Sequence, residues 1–345
     1  MSETPQLIFD GHNDVLLHLW LYHPENPANA FLHQRLSGHL DLARMRQGGF
    51  AGGLFAVFVP PAEYVAKFRG TDLQQAIQQH DPLLITEQQI AILQQIEQQS
   101  AGQARICRTV RDIEHCMAQG VLAMVMHIEG AEGLDEDLSQ LEGWAEAGLR
   151  SIGPFWNIPN RFGFGINGRF PGSPDTGEGM TDAGKRLIRA CNQHRLMVDV
   201  SHMNEKAFWQ TAEISDAPLV ASHSNVHALC PQPRNLTDAQ LAAIAESDGL
   251  VGVNFGTAFL RSDGKRDGDM SLDVMVRHFD YLLEKVGEDR VAFGSDFDGI
   301  NVPDAIGDVT GLPRLLSKLR SAGYNDTLLN KLARANWLRV LRKTW

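Results

Sequence analysis

The chain has 345 residues, of which 43% are hydrophobic and 21% are charged, an ordinary globular composition with enough apolar material for a sizeable core. Its net charge of −11 disfavours nucleic acid and anionic membrane surfaces as partners. No apolar run approaches the roughly 20 residues of a membrane span. The polar start of the chain shows no secretory signal, so we expect a cytoplasmic protein.

Short apolar runs alternate with amphipathic helical patterns along almost the whole chain. Strands are predicted at residues 7–10, 53–59, 122–128, 151–155, 197–200, 219–221, 250–254 and 291–294. Helices are predicted at residues 87–98, 138–147, 182–193, 205–213, 238–246, 272–286 and 325–341. This alternation predicts an α/β fold, and eight strands favour a closed (β/α)8 TIM barrel over an open doubly wound sheet.

Two polar segments, residues 22–38 and 157–179, interrupt the pattern and are predicted to be irregular. The second is rich in Gly, Pro and Asn and follows the fourth predicted strand. Because loops after the strands build the catalytic face of a barrel, it is a candidate active-site loop, although a plain surface loop fits equally well. No linker or break in composition separates a second domain, so residues 1–345 are predicted to form one domain. The four cysteines form no CxxC pair, which predicts reduced thiols in or near the core.

Histidine and carboxylate residues follow five of the eight predicted strands. They are His12 and Asp14 after the first strand, Glu129 after the third, His202 after the fifth, His223 after the sixth and Asp296 after the eighth. Because residues i and i+2 of a strand project to the same side, His12 and Asp14 can bind one metal ion. His202 and His223 can supply a second pair, and the two oxygens of Glu129 can bridge two ions. These donors suit zinc and similar divalent cations.

Each of these features is weak alone, since a single His at a strand end is more often a hydrogen-bonded structural residue than a ligand. Their joint occurrence at one face of the barrel predicts a two-metal site. Two ions there would lower the pKa of a bridging water and polarise a carbonyl group. The sequence has no GxSxG nucleophile motif, no Walker A motif and no GxGxxG that opens a helix after a strand.

The strand-end segments together resemble the membrane (renal) dipeptidase family. The matching segments are DGHND at 10–14, HIEG at 127–130, DVSH at 199–202, SHS at 222–224 and DFDG at 296–299, with HLDL at 39–42, GMTDAG at 179–184 and PRNL at 233–236. The resemblance covers roughly residues 7–341. It implies a binuclear zinc barrel related to the amidohydrolases, which hydrolyses a dipeptide with a metal-bridging hydroxide.

The resemblance also implies roles for individual residues. His12 and Asp14 would bind the first zinc ion, Glu129 would bridge both, and His202 and His223 would bind the second. Arg234 would hold the terminal carboxylate of the substrate, a role that suits its planar fork of donors. Asp296 would be the acid/base that takes the proton of the attacking hydroxide and returns it to the leaving amine.

The chain departs from the family pattern at Trp156. The family usually has a His there, which contacts the substrate and can stabilise the tetrahedral oxyanion. An indole can only donate a hydrogen bond and has no proton to exchange at neutral pH. This departure bears on the substrate more than on the reaction class.

Three interpretations follow from these residues. The first is a zinc-dependent dipeptidase, with an L-Xaa-D-Xaa peptide among its candidate substrates. The second keeps two metal ions but cleaves another amide, such as an N-acyl amino acid or a lactam, and Trp156 favours it. The third is a barrel that retains its metals as a non-catalytic binding protein, against which the complete ligand set and Asp296 argue. The family often forms dimers, so a homodimer is an open expectation.

Overall fold

The computed structural model describes residues 6–345, and within them every pairing between strands is parallel. The strands are β1 (Ile8–Asn13), β2 (Phe50–Phe58), β3 (Ala104–Ile106), β4 (Leu122–Glu129), β5 (Leu149–Gly153), β6 (Met197–Val198), β7 (Val220–Ala221), β8 (Leu250–Val253) and β9 (Val291–Phe293). All eight predicted strands form, whereas the three-residue strand β3 was not predicted. Residues 1–5, on which most of the argument against a secretory signal depends, lie outside the described residues.

Two hydrogen-bonded seams close these strands into a barrel. The strands run in the orders β1-β2-β4-β5-β6 and β7-β8-β9, and β3 pairs separately with the beginning of β4. Asp199, directly after β6, pairs with Val220 of β7, which joins the two groups. At the other seam, Asn13 of β1 pairs with Phe297, and the Asp14 amide donates to the Phe297 carbonyl at 2.8 Å. The predicted (β/α)8 barrel is confirmed.

Helices occupy most of the connections between the strands. They are α1 (Val15–Tyr22), α2 (Pro27–His33), α3 (Leu42–Gly48), α4 (Ala62–Arg69), α5 (Leu73–Gln78), α6 (Pro82–Gln99), α7 (Val110–Gln119), α8 (Leu141–Ala147), α9 (Asp182–His194), α10 (Glu205–Ile214), α11 (Asp238–Glu246), α12 (Thr257–Leu260), α13 (Asp273–Val286), α14 (Leu312–Ser321), α15 (Asp326–Asn330) and α16 (Asn336–Thr344). Single 3₁₀ turns lie at Glu288–Arg290 and Val309–Gly311. None of the helices within residues 6–345 is both long and apolar enough to cross a membrane.

The helix predictions held where the amphipathic period was long and clear. Helix α9 begins at the predicted cap, since the Thr181 side chain accepts a hydrogen bond from the Gly184 amide. Helices α1 to α5, α7, α12 and α14 were missed, most of them because they span too few residues to establish a period. The prediction that residues 22–38 are irregular was wrong, because helix α2 begins there with Pro27 in its first turn.

The last helix also differs from its prediction. A continuous helix was predicted over residues 325–341, but a π-helical turn at Lys331–Ala335 separates α15 from α16. The apolar period runs through all three pieces, so the sequence did not reveal the wider turn. By contrast, residues 157–179 contain no helix or strand, as predicted.

The two faces of strand β4 explain how the barrel presents its polar end. Ala123 and Val125 belong to the apolar cluster inside the barrel, whereas the alternate side chains of β4 pack in the cluster formed with the helices. The inward row continues with His127 and ends with Glu129 at the carboxyl end of the strand. At the opposite end, the fully buried Trp337 of α16 closes the barrel and donates to the Phe293 carbonyl at 2.9 Å.

Candidate active site

The carboxyl ends of the strands bring the five predicted metal ligands together. His12 Nε2 lies 3.5 Å from Asp14 Oδ2 and 3.6 Å from Glu129 Oε2. The other oxygen, Glu129 Oε1, lies 2.8 Å from His202 Nε2 and 3.5 Å from His223 Nε2. The two oxygens of one carboxylate therefore face different histidines, which is the geometry expected of a bridging ligand.

The residues of this cluster fit divalent cations. The ligand atoms of His12, Asp14 and Glu129 lie within 4.8 Å of one another, and so do those of Glu129, His202 and His223. Within residues 6–345, both ring nitrogens of His12 and Asp14 Oδ1 are buried without a hydrogen-bond partner. The His202 and His223 Nε2 atoms face each other at 3.0 Å. Buried imidazole nitrogens and carboxylate oxygens without other partners are suitable ligand atoms for two cations that share Glu129.

Burial and charge set the protonation of these ligands. Burial lowers the pKa of His202 to about 4 and that of His223 well below its usual value, so both imidazoles are neutral at pH 7. Burial also opposes a charge on His12, but the Glu129 and Asp14 carboxylates outweigh it and raise the pKa of His12 well above its usual value. Only neutral imidazole binds a metal, so His202 and His223 already have the form that ligation requires.

A buried aspartate orients one of these rings through a hydroxyl group. Asp199 accepts hydrogen bonds from the amides of Ser201 and Ser222 at 3.0 and 2.9 Å, and from both of their hydroxyls. The Ser222 hydroxyl lies 2.7 Å from His223 Nδ1, so the aspartate fixes His223 from behind. His127 Nε2 lies 3.6 Å from the same carboxylate. These contacts leave His223 Nε2 pointing at Glu129.

The sequence prediction did not include His127 or Asn157 in the site. The possible ligand atoms of His127, His12 and Asp199 also lie within 4.8 Å of one another. His127 Nδ1 lies 2.8 Å from the Ser151 hydroxyl. Its position two residues before Glu129 on one strand was the available signal. Asn157 Oδ1 lies 2.9 Å from His202 Nδ1, but no pattern marked it within the irregular loop.

Asp296 lies beside the first pair of ligands. It follows β9 with a backbone φ of 61°, and Asn254 Nδ2 donates to its Oδ2 at 2.8 Å. Its carboxylate lies within 4.8 Å of ring nitrogens of His12 and His223. Burial raises the pKa of Asp296 to about 8, although the charge of His12 partly opposes this. A Cβ atom at Gly299 would collide with the Asp14 and Asp296 carboxylates, so any larger residue there would have to displace them.

Arg234 lies beside the second pair of ligands, with its side chain held by the backbone. Its guanidinium donates to the carbonyls of Ser201 and His223, the latter at 3.2 Å, and to the Ser224 hydroxyl at 3.4 Å. The side chain is buried, and Nε has no hydrogen-bond partner within the described part of the chain. Burial lowers the pKa of Arg234, but guanidinium stays charged at neutral pH. The result is a buried positive charge next to the predicted metal ligands.

Trp156 stands at the rim of the same cluster. The half-buried indole follows β5, and its ring centre lies 6.4 Å from the ring centre of His202. Phe58 and Tyr64 flank it at 5.0 and 5.9 Å between ring centres. The side chain therefore faces the metal-ligand end of the barrel, where the sequence placed it.

Fold and site together define a metal-dependent hydrolase built on a (β/α)8 barrel. The chain belongs to the membrane dipeptidase family, peptidase family M19, whose family model matches residues 3–344. It is a metallodipeptidase of this family, as the strand-end motifs predicted.

Known relatives and solved structures agree with this assignment. An uncharacterised protein encoded in the pqqA 5′ region of Klebsiella pneumoniae is 60% identical over 265 residues, which are 77% of this chain and 98% of the relative. A Rhodobacter sphaeroides metallopeptidase, solved with a phosphinate mimic of L-Ala-D-Ala, is 45% identical with a TM-score of 0.92. That comparison covers 99% of this chain and 100% of the other. The probable dipeptidase PvdM of Pseudomonas aeruginosa is 26% identical with a TM-score of 0.83, over 98% of this chain and 95% of that one.

Proposed function

We propose that this enzyme cleaves dipeptides with two divalent cations, zinc being the expected metal. His12 and Asp14 would hold one ion, His202 and His223 the other, and Glu129 both. The observation that carries the proposal is the division of the Glu129 oxygens between His12 on one side and His202 and His223 on the other. When bound, the cations would polarise the scissile carbonyl and lower the pKa of the attacking water.

Asp296 is the proposed acid/base. Its carboxylate lies close to His12 and His223, and the hydrogen bond from Asn254 fixes one of its oxygens. The other oxygen can therefore exchange a proton with a group held at the cluster. The positive charge of bound cations would lower the pKa of Asp296 from about 8, so that its carboxylate could take a proton from the attacking water and deliver it to the leaving amine.

Arg234 is proposed to bind the carboxyl terminus of the dipeptide. Its charge is buried and its Nε is without a partner in residues 6–345, so a carboxylate from the substrate would satisfy both. Trp156 would narrow the space near His202 and so restrict the side chains that fit. The phosphinate bound to the Rhodobacter sphaeroides enzyme mimics L-Ala-D-Ala, and we accordingly propose L-Xaa-D-Xaa peptides as substrates.

Trp156 also supports a second candidate, hydrolysis of an N-acyl amino acid or a lactam, because the indole changes the site where the family has its imidazole. A non-catalytic binding protein is disfavoured, since Asp296 would then have no role. The cytoplasmic location and the homodimer stay predictions from the sequence.

The experiment is a substrate panel assayed with zinc-loaded protein. The panel contains L-Xaa-L-Xaa and L-Xaa-D-Xaa dipeptides, N-acyl amino acids and lactams, and Asp296→Asn serves as the control for contaminating peptidases. We expect hydrolysis of dipeptides that Asp296→Asn abolishes. Turnover of N-acyl amino acids with none of any dipeptide would establish the second candidate instead, and no turnover at all would favour a binding protein.

A further inference from the structure

We propose that Glu132 binds the α-ammonium group of the substrate and thereby selects dipeptides with a free amino terminus. This inference rests on the proposed function. It concerns how the enzyme recognises the amino end of the substrate, a role that none of the residues discussed above has been given. Glu132 would be a specificity residue that contacts substrate without touching the metal ions.

The backbone after β4 places Glu132 next to the bridging ligand. Glu129 is followed by Gly130, which has a φ of 80°, and the chain turns so that the Glu132 carboxylate packs on Gly130. A Cβ atom at Gly130 would collide with that carboxylate. From the loop after β5, Asn160 Nδ2 donates to Glu132 Oε1 at 3.3 Å and to the Pro154 carbonyl at 2.8 Å. One oxygen is thus held in place.

The other oxygen has no partner. Glu132 Oε2 is buried without a hydrogen-bond partner within residues 6–345. Burial raises the pKa of Glu132 to about 7 against the hydrogen bonds from its own backbone amide and from Asn160, which lower it; repulsion by Glu129 adds to the rise and the exposed Arg161 opposes it. A buried carboxylate oxygen without a donor is costly, and an ammonium group, with three donors and a positive charge, removes that cost.

The position of Glu132 in the barrel complements that of Arg234. Glu132 follows β4 and Arg234 lies in the loop after β7, so three steps around a closed ring of eight strands separate the strands that lead to them. A dipeptide carries one positive and one negative end, and its scissile bond lies between them. A carboxylate and a guanidinium on two separate strand-end loops match that charge pattern. An N-acyl amino acid has the negative end only and could use Arg234 but not Glu132.

The test compares two ligands that differ only in the amino group. Zinc-loaded protein is titrated calorimetrically with a phosphinate mimic of Ala-Ala and with its desamino counterpart, and dipeptide hydrolysis and zinc content are measured in parallel. The variant is Glu132→Gln, and the matched control is Glu136→Gln, which makes the same charge change at an exposed site four residues away. Glu132→Asp keeps the charge and serves if the Gln variant does not fold.

Wild type should bind the amino-bearing mimic at least about 30-fold more tightly than its desamino counterpart, as expected when a buried charge pair is completed. Glu132→Gln should lose most of this preference with unchanged zinc content, Glu132→Asp should keep part of it, and Glu136→Gln should keep all of it. Equal affinities in wild type, or an undiminished preference in Glu132→Gln, would overturn the inference while dipeptide turnover persisted. Absence of dipeptide turnover and of binding by both mimics would instead refute the proposed function.

Discussion

Replacing Glu129 by Gln is the sharpest test of the two-metal site, because the change keeps the size of the side chain and removes its charge. In the structure the carboxylate faces three imidazole nitrogens at 2.8 to 3.6 Å, two on one oxygen and one on the other. An amide can offer one oxygen to one ion, and its NH₂ group would face the remaining ligands as a donor. The variant should therefore hold one cation where wild type holds two.

The magnitude follows from the number of contacts that change. Loss of a partner behind a metal ligand already costs about 10- to 100-fold in metal affinity. Glu129 would contact both ions directly, so the affinity for the second ion should fall by more than about 100-fold, or about 2.7 kcal/mol. Dipeptide hydrolysis should be lost with it.

Elemental analysis after equilibrium dialysis against buffered zinc gives the metal-to-protein ratio, and hydrolysis of an Ala-Ala peptide is followed on the same samples. Glu136→Gln, an exposed residue, is the control and should keep two ions and full activity. A Glu129→Gln protein that retained two ions at the wild-type affinity would refute the bridge. A wild-type ratio that never exceeded one under saturating zinc would refute the binuclear site altogether.

Three further changes test the remaining parts of the site and the fold. Arg234→Met should cost about 2–5 kcal/mol in kcat/KM for a dipeptide and far less for the corresponding dipeptide amide, and equal losses would show that Arg234 does not bind the carboxylate. Trp156→His should leave zinc content unchanged and raise the rate on L,L-dipeptides by about 10²–10³, the usual value of one oxyanion donor; a wild type that already hydrolyses most dipeptides at ordinary enzyme rates would contradict this. Trp337→Ala should lower the free energy of unfolding of the metal-free protein by about 3–5 kcal/mol in urea titrations, and Trp345→Ala, at the partly exposed carboxyl terminus, by less. Equal effects of the two tryptophan changes would argue against Trp337 as the closure of the barrel.

The eight barrel strands were predictable because parallel strands buried on both faces leave continuous apolar runs, which survive even where a strand is as short as β7. Strand β3 could not be predicted in this way, since its three residues include the exposed Arg105 and pair with β4 alone. Helices α1 and α2 lie where a short apolar stretch and a Pro-containing polar stretch gave no helical period. Their helicity depends on packing, of α1 against β2 and of α2 against α6, more than on sequence pattern.

The convergence of the proposed metal ligands was predictable for a different reason, namely that the barrel fixes where a strand ends. Once the strands are placed, His12, Glu129, His202 and His223 must converge, and no knowledge of the loops is needed. The partners that orient them were harder to find. Asn157, which contacts His202, lies in an irregular loop whose course only the structure gives.

The position of Asp199 explains why the site needs more than its ligands. His223 can turn its Nε2 toward Glu129 only if its Nδ1 is held, and the Ser222 hydroxyl holds it at 2.7 Å. That hydroxyl donates to Asp199, so it meets His223 Nδ1 as an acceptor, and Nδ1 then carries the ring proton. This leaves Nε2 unprotonated and available to a cation. Asp199 follows β6 and Ser222 follows β7, and the seam that closes the barrel joins these two strands. Closure of the barrel and orientation of the His223 ring therefore depend on the same pair of strand ends.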